Sequence, residues 1–224
     1  KRTVNHMRQQ AYLVNGLKIS VVDARSVSLK DVPEGVQYLS DTEIESPSKS
    51  FYFEGGLRSL VAYQNKSQSP VHKNIFHIKQ DVGDVNVEVA LQYVDDISSR
   101  INAFANTINT PEGGTHLTGF KTALTRSLNN YLKKQKTNAK DQESFTGDDV
   151  LEGLTAVVSV KMPEIQFEGQ TKAKLGSVEA RGAVESAFGE AFTYFLEENP
   201  DDAKAMIQKA ILAVKARKAA KAAK

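Results

Sequence analysis

Hydrophobic and polar residues alternate most clearly along residues 85–94. Val85, Val87 and Val89 alternate there with polar or small residues such as Asn86 and Glu88. A period of two predicts a β-strand with one buried face and one face in water. Further strands are predicted at residues 17–22, 51–53, 75–78 and 101–108.

A second apolar segment has no alternation. Residues 154–160 are almost continuously apolar, and the run ends near Met162. A short run of this kind predicts a strand whose two faces are both buried. We therefore expect it in the middle of the sheet.

Apolar residues at spacings of three and four predict the helices. Leu117, Phe120, Leu124, Leu128 and Tyr131 form such a stripe in a helix that opens at residues 112–117 and ends near Gln135. The next helix opens near Ser177 and carries the stripe Val184, Phe188, Phe192 and Phe195, and the last begins at Asn199-Pro200, with Asn199 as N-cap. Shorter helices are predicted at residues 3–15, after Gly56 and at 148–152. Strands grouped in mid-chain with helices between and after them predict an α+β fold, a sheet covered by helices mainly on one face.

Three segments lack such patterns. Residues 25–49 are rich in Ser, Asp, Glu and Pro, which predicts a loop or β-hairpin insertion. Residues 136–147 are polar and predict a mobile loop. Residues 215–224 consist of basic residues and Ala, so we expect a helix that projects from the domain.

Composition gives only weak information about the partners and the cellular location of the protein. The formal net charge of +2 favours no particular partner, and the absence of cysteine excludes disulfides and thiolate metal sites. No apolar run is long enough for a membrane span, and no signal peptide is visible. These features fit a cytoplasmic protein. Because the chain begins with Lys1 instead of Met, we expect a fragment of a longer protein.

The strongest candidate for chemistry is a polar loop at residues 169–172. Gly169 permits a close backbone approach, Gln170 offers an amide donor, and Lys172 offers an ammonium group suited to a phosphate oxygen. Most loops of this composition are solvated turns, so the loop alone does not decide the function.

Two further features have both a functional and a plain interpretation. Gly113 and Gly114, placed before a helix, predict either an anion-binding nest or a tight turn with Thr115 as N-cap. The basic face of the same helix either contacts a nucleic-acid backbone or simply faces water. That face comprises Lys121, Thr125, Arg126, Asn129, Lys133 and Lys134. The histidines have no metal-ligand spacing, and we expect no metal site.

Taken together, the motifs resemble the transducer domain of bacterial type IIA DNA topoisomerases, in the B subunit of DNA gyrase or its topoisomerase IV counterpart. The resemblance covers residues 50–224, and residues 8–19 resemble the preceding junction. It rests on the motifs at 53–57, 112–120, 123–129, 152–161 and 167–176.

The resemblance implies a ribosomal-protein-like fold with a left-handed βαβ crossover and a long C-terminal helix. Residues 1–15 would end a GHKL ATPase domain or form a linker helix, and residues 16–198 would form the transducer, with 25–49 as an insertion. Residues 199–224 would lead to a TOPRIM domain.

The resemblance also implies roles for particular residues. Gln170 and Lys172 would contact the γ-phosphate of ATP, with Lys172 as the catalytic residue, and Arg126, Lys121 and Lys133 are DNA-contact candidates. ATP and Mg²⁺ would belong to the full enzyme, and the fragment would hold no cofactor. The implied partners are DNA, a gyrase A-type protein and a second copy of the B protein, with no membrane.

One departure from the family pattern concerns the segment after the loop. Ser177-Val178 stands where Asn-Ser is common, so the helix cap there would differ. Two alternatives stay open: a nucleic-acid-binding module of the same fold without ATP linkage, and the transducer of another GHKL ATPase such as a mismatch-repair protein. The motif at 112–117 argues against the second. The sequence does not separate gyrase from topoisomerase IV.

Overall fold

A computed structural model describes residues 1–135 and 144–223. The chain divides into two compact units, Lys1–Ser59 and Leu60–Lys224. The predicted loop at 136–147 falls largely outside the described residues, as does Lys224. Within the described residues, no helix combines the length and the apolar character needed to cross a membrane.

The first unit joins a helix to a two-stranded sheet. Helix α1 spans Arg2–Leu13, and the antiparallel strands β1 and β2 span Ile19–Val22 and Ser48–Phe51. The rings of Tyr12 and Phe53 stack at 3.6 Å. The predicted insertion, residues 25–49, contains two short 3₁₀ turns, and its last two residues form the start of β2. Helix α2, Gly56–Gln64, spans the boundary between the units.

A five-stranded mixed sheet is the centre of the second unit. Its strands are β3 (Phe76–Val82), β4 (Val85–Tyr93), β5 (Arg100–Ala105), β6 (Ile108–Asn109) and β7 (Leu154–Lys161), in the order β3-β4-β7-β5-β6. Strands β5 and β7 are parallel, and the other neighbours are antiparallel. The middle position predicted for the continuous apolar segment is confirmed. Since β5 and β7 are parallel, the chain between them makes a crossover.

The crossover and the C-terminal part supply the helices that cover the sheet. These are α3 (Thr115–Lys134), α4 (Gly147–Leu151), α5 (Glu179–Glu198) and α6 (Pro200–Ala222). The predicted stripes of α3 and α5 enter one apolar core together with alternate residues of β4 and β7. The two helices approach closely at Gly119, where a Cβ atom would lie 2.5 Å from the carbonyl oxygen of Arg181. The mixed sheet covered by helices is therefore confirmed.

The second face of β4 differs from the prediction. The alternation predicts Glu88 and Gln92 in water, but each is only 5% exposed. Gln92 accepts a hydrogen bond from the Asn65 amide at 3.0 Å, and Asn65 accepts one from Thr155 at 2.7 Å. Buried polar side chains need such partners. The alternation therefore separates two buried faces, one apolar and one polar.

Helix α6 is fixed to the rest of its unit by charged groups near both ends. The Asp202 carboxylate accepts hydrogen bonds from the backbone and side-chain amides of Asn74 at 3.2 and 2.8 Å. Arg217 binds the buried Asp149 carboxylate with two bonds of 2.9 and 3.1 Å. Although burial opposes its charge, the pKa of Asp149 is lowered, because Arg217 and Thr146 donate hydrogen bonds to it. The predicted basic segment is thus helical, and it is held by an ion pair as far as Arg217.

The start of α6 shows a limit of capping rules. Asn199 occupies the N-cap position and Pro200 the first helical position, as predicted. The Asn199 side chain, however, does not cap α6. Its amide donates to the carbonyl oxygen of Phe195 at 2.9 Å and so satisfies the end of α5.

Candidate functional site

The loop at residues 169–172 is the tip of a short hairpin between β7 and α5. Below the tip, Phe167 and Leu175 form an antiparallel bridge. The Glu168 backbone N–H donates to the carbonyl oxygen of Lys174 at 2.9 Å. The two arms therefore hold each other, and the tip extends beyond the last of these bonds.

The backbone of the tip is in an unusual conformation. Gly169 has φ of +78° and Lys172 has φ of +54°. A left-handed conformation costs a residue with a Cβ about 1–2 kcal/mol. The hairpin thus turns at Lys172 in spite of this local energetic cost. At Gly169 the positive φ carries no such cost, because glycine has no Cβ atom.

The side chains of the tip are exposed to solvent. Gln170, Thr171 and Lys172 are all exposed, and the structure gives them no side-chain hydrogen bond or ion pair with any residue of 1–135 or 144–223. The neighbouring Lys174 differs, because its ammonium group lies 2.7 Å from the Glu168 carboxylate. Hydrogen bonding to Glu168 also raises the pKa of Lys174. Of the two lysines of the hairpin, Lys172 is the one whose charge is available to a ligand.

The hairpin is joined to the segment that leads into α3. The Leu175 N–H donates to the carbonyl oxygen of Gly113 at 2.9 Å, and the Thr115 N–H donates to that of Leu175 at 3.1 Å. Glu112 and Ala173 add a third backbone bond of 3.0 Å. The sequence motif before α3 is therefore a third strand-like arm beside the hairpin. The two motifs are far apart along the chain, and no local pattern predicts this pairing.

The geometry at Gly114 resolves the two interpretations of the glycine pair. Gly114 has φ of +126°, and a Cβ atom there would lie 2.3 Å from the carbonyl oxygen of Leu175. The glycine is needed because the backbone of the hairpin passes directly against it. The N–H groups of Gly113 and Thr115 are bound to carbonyl oxygens of the chain, so they are not available to form an anion-binding nest.

The prediction of Thr115 as N-cap is wrong. Gly114 is the N-cap, and Thr115 is the first helical residue of α3. Its hydroxyl group instead donates to the carbonyl oxygen of Ser177 at 2.6 Å. The side chain thus bonds to the other end of the hairpin, a role that no local pattern indicated.

The start of α5 also lacks a side-chain cap. Val178 is the N-cap, in an αR conformation and without a capping bond. The Ser177 hydroxyl oxygen accepts a hydrogen bond from the Gln166 backbone N–H at 2.9 Å. Ser177 therefore closes the base of the hairpin instead of capping the helix.

His116 is a structural histidine beside this junction. It is fully buried, and its Nε2 lies 3.2 Å from the Thr110 hydroxyl. Because that hydroxyl donates to the carbonyl oxygen of Ala103 at 3.0 Å, it accepts from His116 Nε2–H. His116 Nδ1 has no hydrogen-bond partner among the described residues. Burial lowers the pKa of His116 to about 4, so the ring is neutral at pH 7.

We expect His116 to make the stability of the chain pH-dependent. The folded pKa of about 4 lies below the unfolded value of 6.5, so the unfolded chain binds a proton first as the pH falls. The free energy of unfolding should therefore fall from pH 6.5 to 4, by up to about 3 kcal/mol from this group. Urea unfolding across this range measures the slope. Burial also lowers the pKa of His72 to about 4, so His116→Gln, which retains a donor for Thr110, should remove about half of the slope, whereas His6→Gln on the exposed His6 should leave it unchanged. An unchanged slope in His116→Gln would contradict this account.

The basic face of α3 is only partly free. Arg126 lies 3.6 Å from the Glu185 carboxylate, and Lys134 lies 2.6 Å from Glu197. The Asn129 side chain bonds both backbone groups of Phe145. These contacts join α3 to neighbouring elements. Of the three DNA-contact candidates, Lys121 and Lys133 have no side-chain partner in the described ranges, and Arg126 has one.

The remaining histidines do not form a metal centre. His72 is buried and accepts the Tyr93 backbone N–H at Nε2, at 2.9 Å. His77 lies 3.0 Å from the Glu88 carboxylate. Across residues 1–135 and 144–223, no group of three or more His, Asp or Glu side chains is arranged to hold a metal ion.

Comparisons with known proteins agree with the residue motifs. The family model for DNA gyrase B matches residues 56–224. The gyrase B protein of Haloferax lucentense is 45% identical over the whole chain, and that of Enterococcus faecalis is 43% identical. The chain spans about a third of these curated relatives, 32% of each.

The solved structures point to the same family. The 43K ATPase domain of Thermus thermophilus gyrase B, solved with an aminocoumarin, matches with a TM-score of 0.82 and 37% identity, over 99% of this chain and 55% of that one. The topoisomerase IV ATP-binding domain of Francisella tularensis matches with a TM-score of 0.75 and 25% identity, over 96% of this chain and 53% of that one. With the family model covering most of the chain and relatives of this similarity along its whole length, the chain belongs to the DNA gyrase B family.

Proposed function

We propose that this chain is the transducer region of an ATP-dependent type II DNA topoisomerase. It couples ATP binding and hydrolysis on a neighbouring domain to DNA strand passage and supercoiling. The observation that carries the proposal is the hairpin tip, which presents to solvent the Gln170 amide and a Lys172 ammonium that is unpaired within the described residues. The gyrase B family membership and the likeness to a gyrase B ATPase domain support it.

Gln170 and Lys172 fit a phosphate ligand chemically. A lysine ammonium is a point charge with three donors, and an amide adds a neutral donor beside it. In the proposed mechanism both groups contact the γ-phosphate of ATP. Lys172 stabilises the negative charge that develops while the γ-phosphoryl group is transferred to water. ADP lacks this phosphate group, so the loop distinguishes the two nucleotides. Mg²⁺ and the adenine pocket belong to the preceding GHKL domain, and we expect the fragment alone to hold no cofactor.

The domain organisation follows from the same proposal. Residues 1–15 end the ATPase domain or form a linker helix, residues 16–198 form the transducer with its insertion at 25–49, and residues 199–224 lead toward a TOPRIM domain. The β5–α3–β7 crossover is the left-handed βαβ unit of a ribosomal-protein-like fold. The full protein acts in the cytoplasm with DNA, a gyrase A-type protein and a second copy of itself.

Lysine footprinting tests the contact with the γ-phosphate. The full-length protein is acylated briefly with a lysine-selective reagent, and each site is quantified by mass spectrometry. We expect a non-hydrolysable ATP analogue to lower labelling of Lys172 several-fold, and ADP to leave it unchanged. Lys174, already paired with Glu168, is the internal control. Equal labelling of Lys172 with the analogue and with ADP would count against the proposal.

We also propose that α3 faces the transported DNA duplex through Lys121, Lys133 and Arg126. Phosphate contacts of this kind are independent of sequence and weaken with salt. Lys121 and Lys133 are the sharper test because neither has a side-chain partner in the described ranges. Reversing Arg126 would place a new carboxylate near Glu185.

We expect Lys121→Glu with Lys133→Glu to weaken DNA stimulation of ATP hydrolysis in the full-length enzyme. Each lost phosphate contact should reduce the dependence of log K on log salt by about one. Lys79→Glu changes an exposed lysine of β3 and is the control. If the double variant responds to DNA and salt as the control does, α3 does not contact the duplex.

A further inference from the structure

The hairpin tip is positioned entirely by its base. The exposed side chains of residues 170–172 have no hydrogen-bond or ion-pair contact within the described parts of the chain. Lys172 can reach a fixed point on another domain reproducibly only if the base has a fixed direction. The groups that lock the base therefore determine where the ammonium group is placed.

Three segments meet at this base: the ascending arm of the hairpin at Gln166, its descending arm at Ser177, and the first turn of α3. Ser177 lies at the centre of their contact. Its hydroxyl oxygen accepts the Gln166 N–H at 2.9 Å, and its own N–H donates to the carbonyl oxygen of Gln166 at 3.2 Å. These two bonds close the hairpin on itself. They do not, by themselves, fix the hairpin relative to α3.

Thr115 supplies the side-chain link from α3 to this centre. Its hydroxyl donates to the Ser177 carbonyl oxygen at 2.6 Å, between residues that are 62 positions apart. Its backbone N–H donates to the Leu175 carbonyl oxygen. Thr115 therefore holds the descending arm at two points, two residues apart, which resists rotation about either bond.

We propose that Thr115 is a positioning residue for Lys172. This inference rests on the proposed role of Lys172 at the ATP γ-phosphate. The Thr115 hydroxyl fixes the hairpin to the first turn of α3, so that the ammonium group arrives in register with the phosphate. A displacement of about 1 Å in a reacting group costs on the order of 100-fold in rate. We therefore expect the loss of this one hydrogen bond at the base to lower kcat for ATP hydrolysis.

Thr115→Val, Thr115→Ser and Thr193→Val in the full-length protein test this role. Valine keeps the branched shape and removes the hydroxyl, and serine restores it. Thr193 is a matched control because its hydroxyl donates to the carbonyl oxygen of Gly189 within α5 itself, at 2.7 Å. Both valine variants make the same chemical change in a helix, and thermal unfolding of each shows whether it folds.

We expect Thr115→Val to lower kcat for ATP hydrolysis at least 10-fold, with KM for ATP changed less than about two-fold. The ATP analogue should also protect Lys172 less from acylation in this variant. Thr115→Ser should recover most of both properties, and Thr193→Val should match the unmodified protein.

The outcomes separate this inference from the function on which it rests. If Lys172→Ala retains full turnover, the proposed function fails. If Lys172→Ala is inactive and Thr115→Val retains full kcat and full protection, the positioning role alone fails. A low kcat that Thr115→Ser does not restore also overturns it, because the effect then does not come from the hydroxyl group.

Discussion

Replacement of Lys172 by alanine in the full-length protein is expected to lower kcat for ATP hydrolysis about 100-fold or more. The loss of a preorganised donor to developing charge typically costs about 10²–10³ in kcat. Binding of adenine should be nearly unchanged, because in the proposed mechanism the hairpin contacts only the terminal phosphate. Phosphate release measures kcat, and calorimetric titration with ADP measures the binding that should persist.

Lys174→Ala is the matched control for this prediction. It removes the same charge two positions away, from a lysine that is already paired with Glu168. We expect turnover within about three-fold of the unmodified protein, since surface ion pairs contribute little. Equal effects of the two substitutions would mean that general positive charge, and not the placement of Lys172, is what matters.

Gly114→Ala is expected to produce the largest loss of stability among glycine substitutions in this region. The new Cβ would lie 2.3 Å from the Leu175 carbonyl oxygen, and φ is +126°. Overlap with backbone atoms is relieved only by moving the hairpin away from α3, which breaks the bonds between Gly113, Thr115 and Leu175. We expect at least about 3 kcal/mol of destabilisation in urea unfolding, together with a loss of ATP turnover.

Gly83→Ala separates the two causes of that loss. Gly83 lies between β3 and β4 with φ of +57°, and no atom lies within 4 Å of a Cβ placed there. This variant carries only the conformational cost, about 1 kcal/mol. Similar losses in both variants would show that the close approach of the hairpin to Gly114 contributes nothing.

The sequence predicted those parts of the fold that depend on local pattern. Apolar spacing located α3 and α5, and the continuous apolar run of residues 154–160 located the central strand. The polar second face of the sheet was missed, because Gln92 is buried by a partner, Asn65, that lies 27 positions away. Periodicity distinguishes two faces and does not show what covers them.

The candidate site was predictable to a similar extent. The composition of the loop named Gln170 and Lys172, and the family resemblance supplied their proposed roles. The structure added the reason to prefer Lys172 over Lys174, which is the ion pair with Glu168. It also assigned Thr115 to a contact with Ser177 in place of the predicted cap, a pairing between distant segments that local rules do not detect.

The distance between Thr115 and Ser177 along the chain affects the order in which the protein forms during synthesis. The first turn of α3 leaves the ribosome 62 residues before its partner, which at about 5–20 residues per second is a delay of roughly 3–12 s. For the first part of this interval, until Leu154–Lys161 has been made, β5 also lacks its parallel neighbour β7 and is paired only with β6. The nascent chain therefore carries a strand with one open edge until β7 emerges, and an unanchored helix until the hairpin emerges. Slow translation between α3 and β7 would lengthen the period in which a chaperone or a neighbouring nascent chain can bind that open edge.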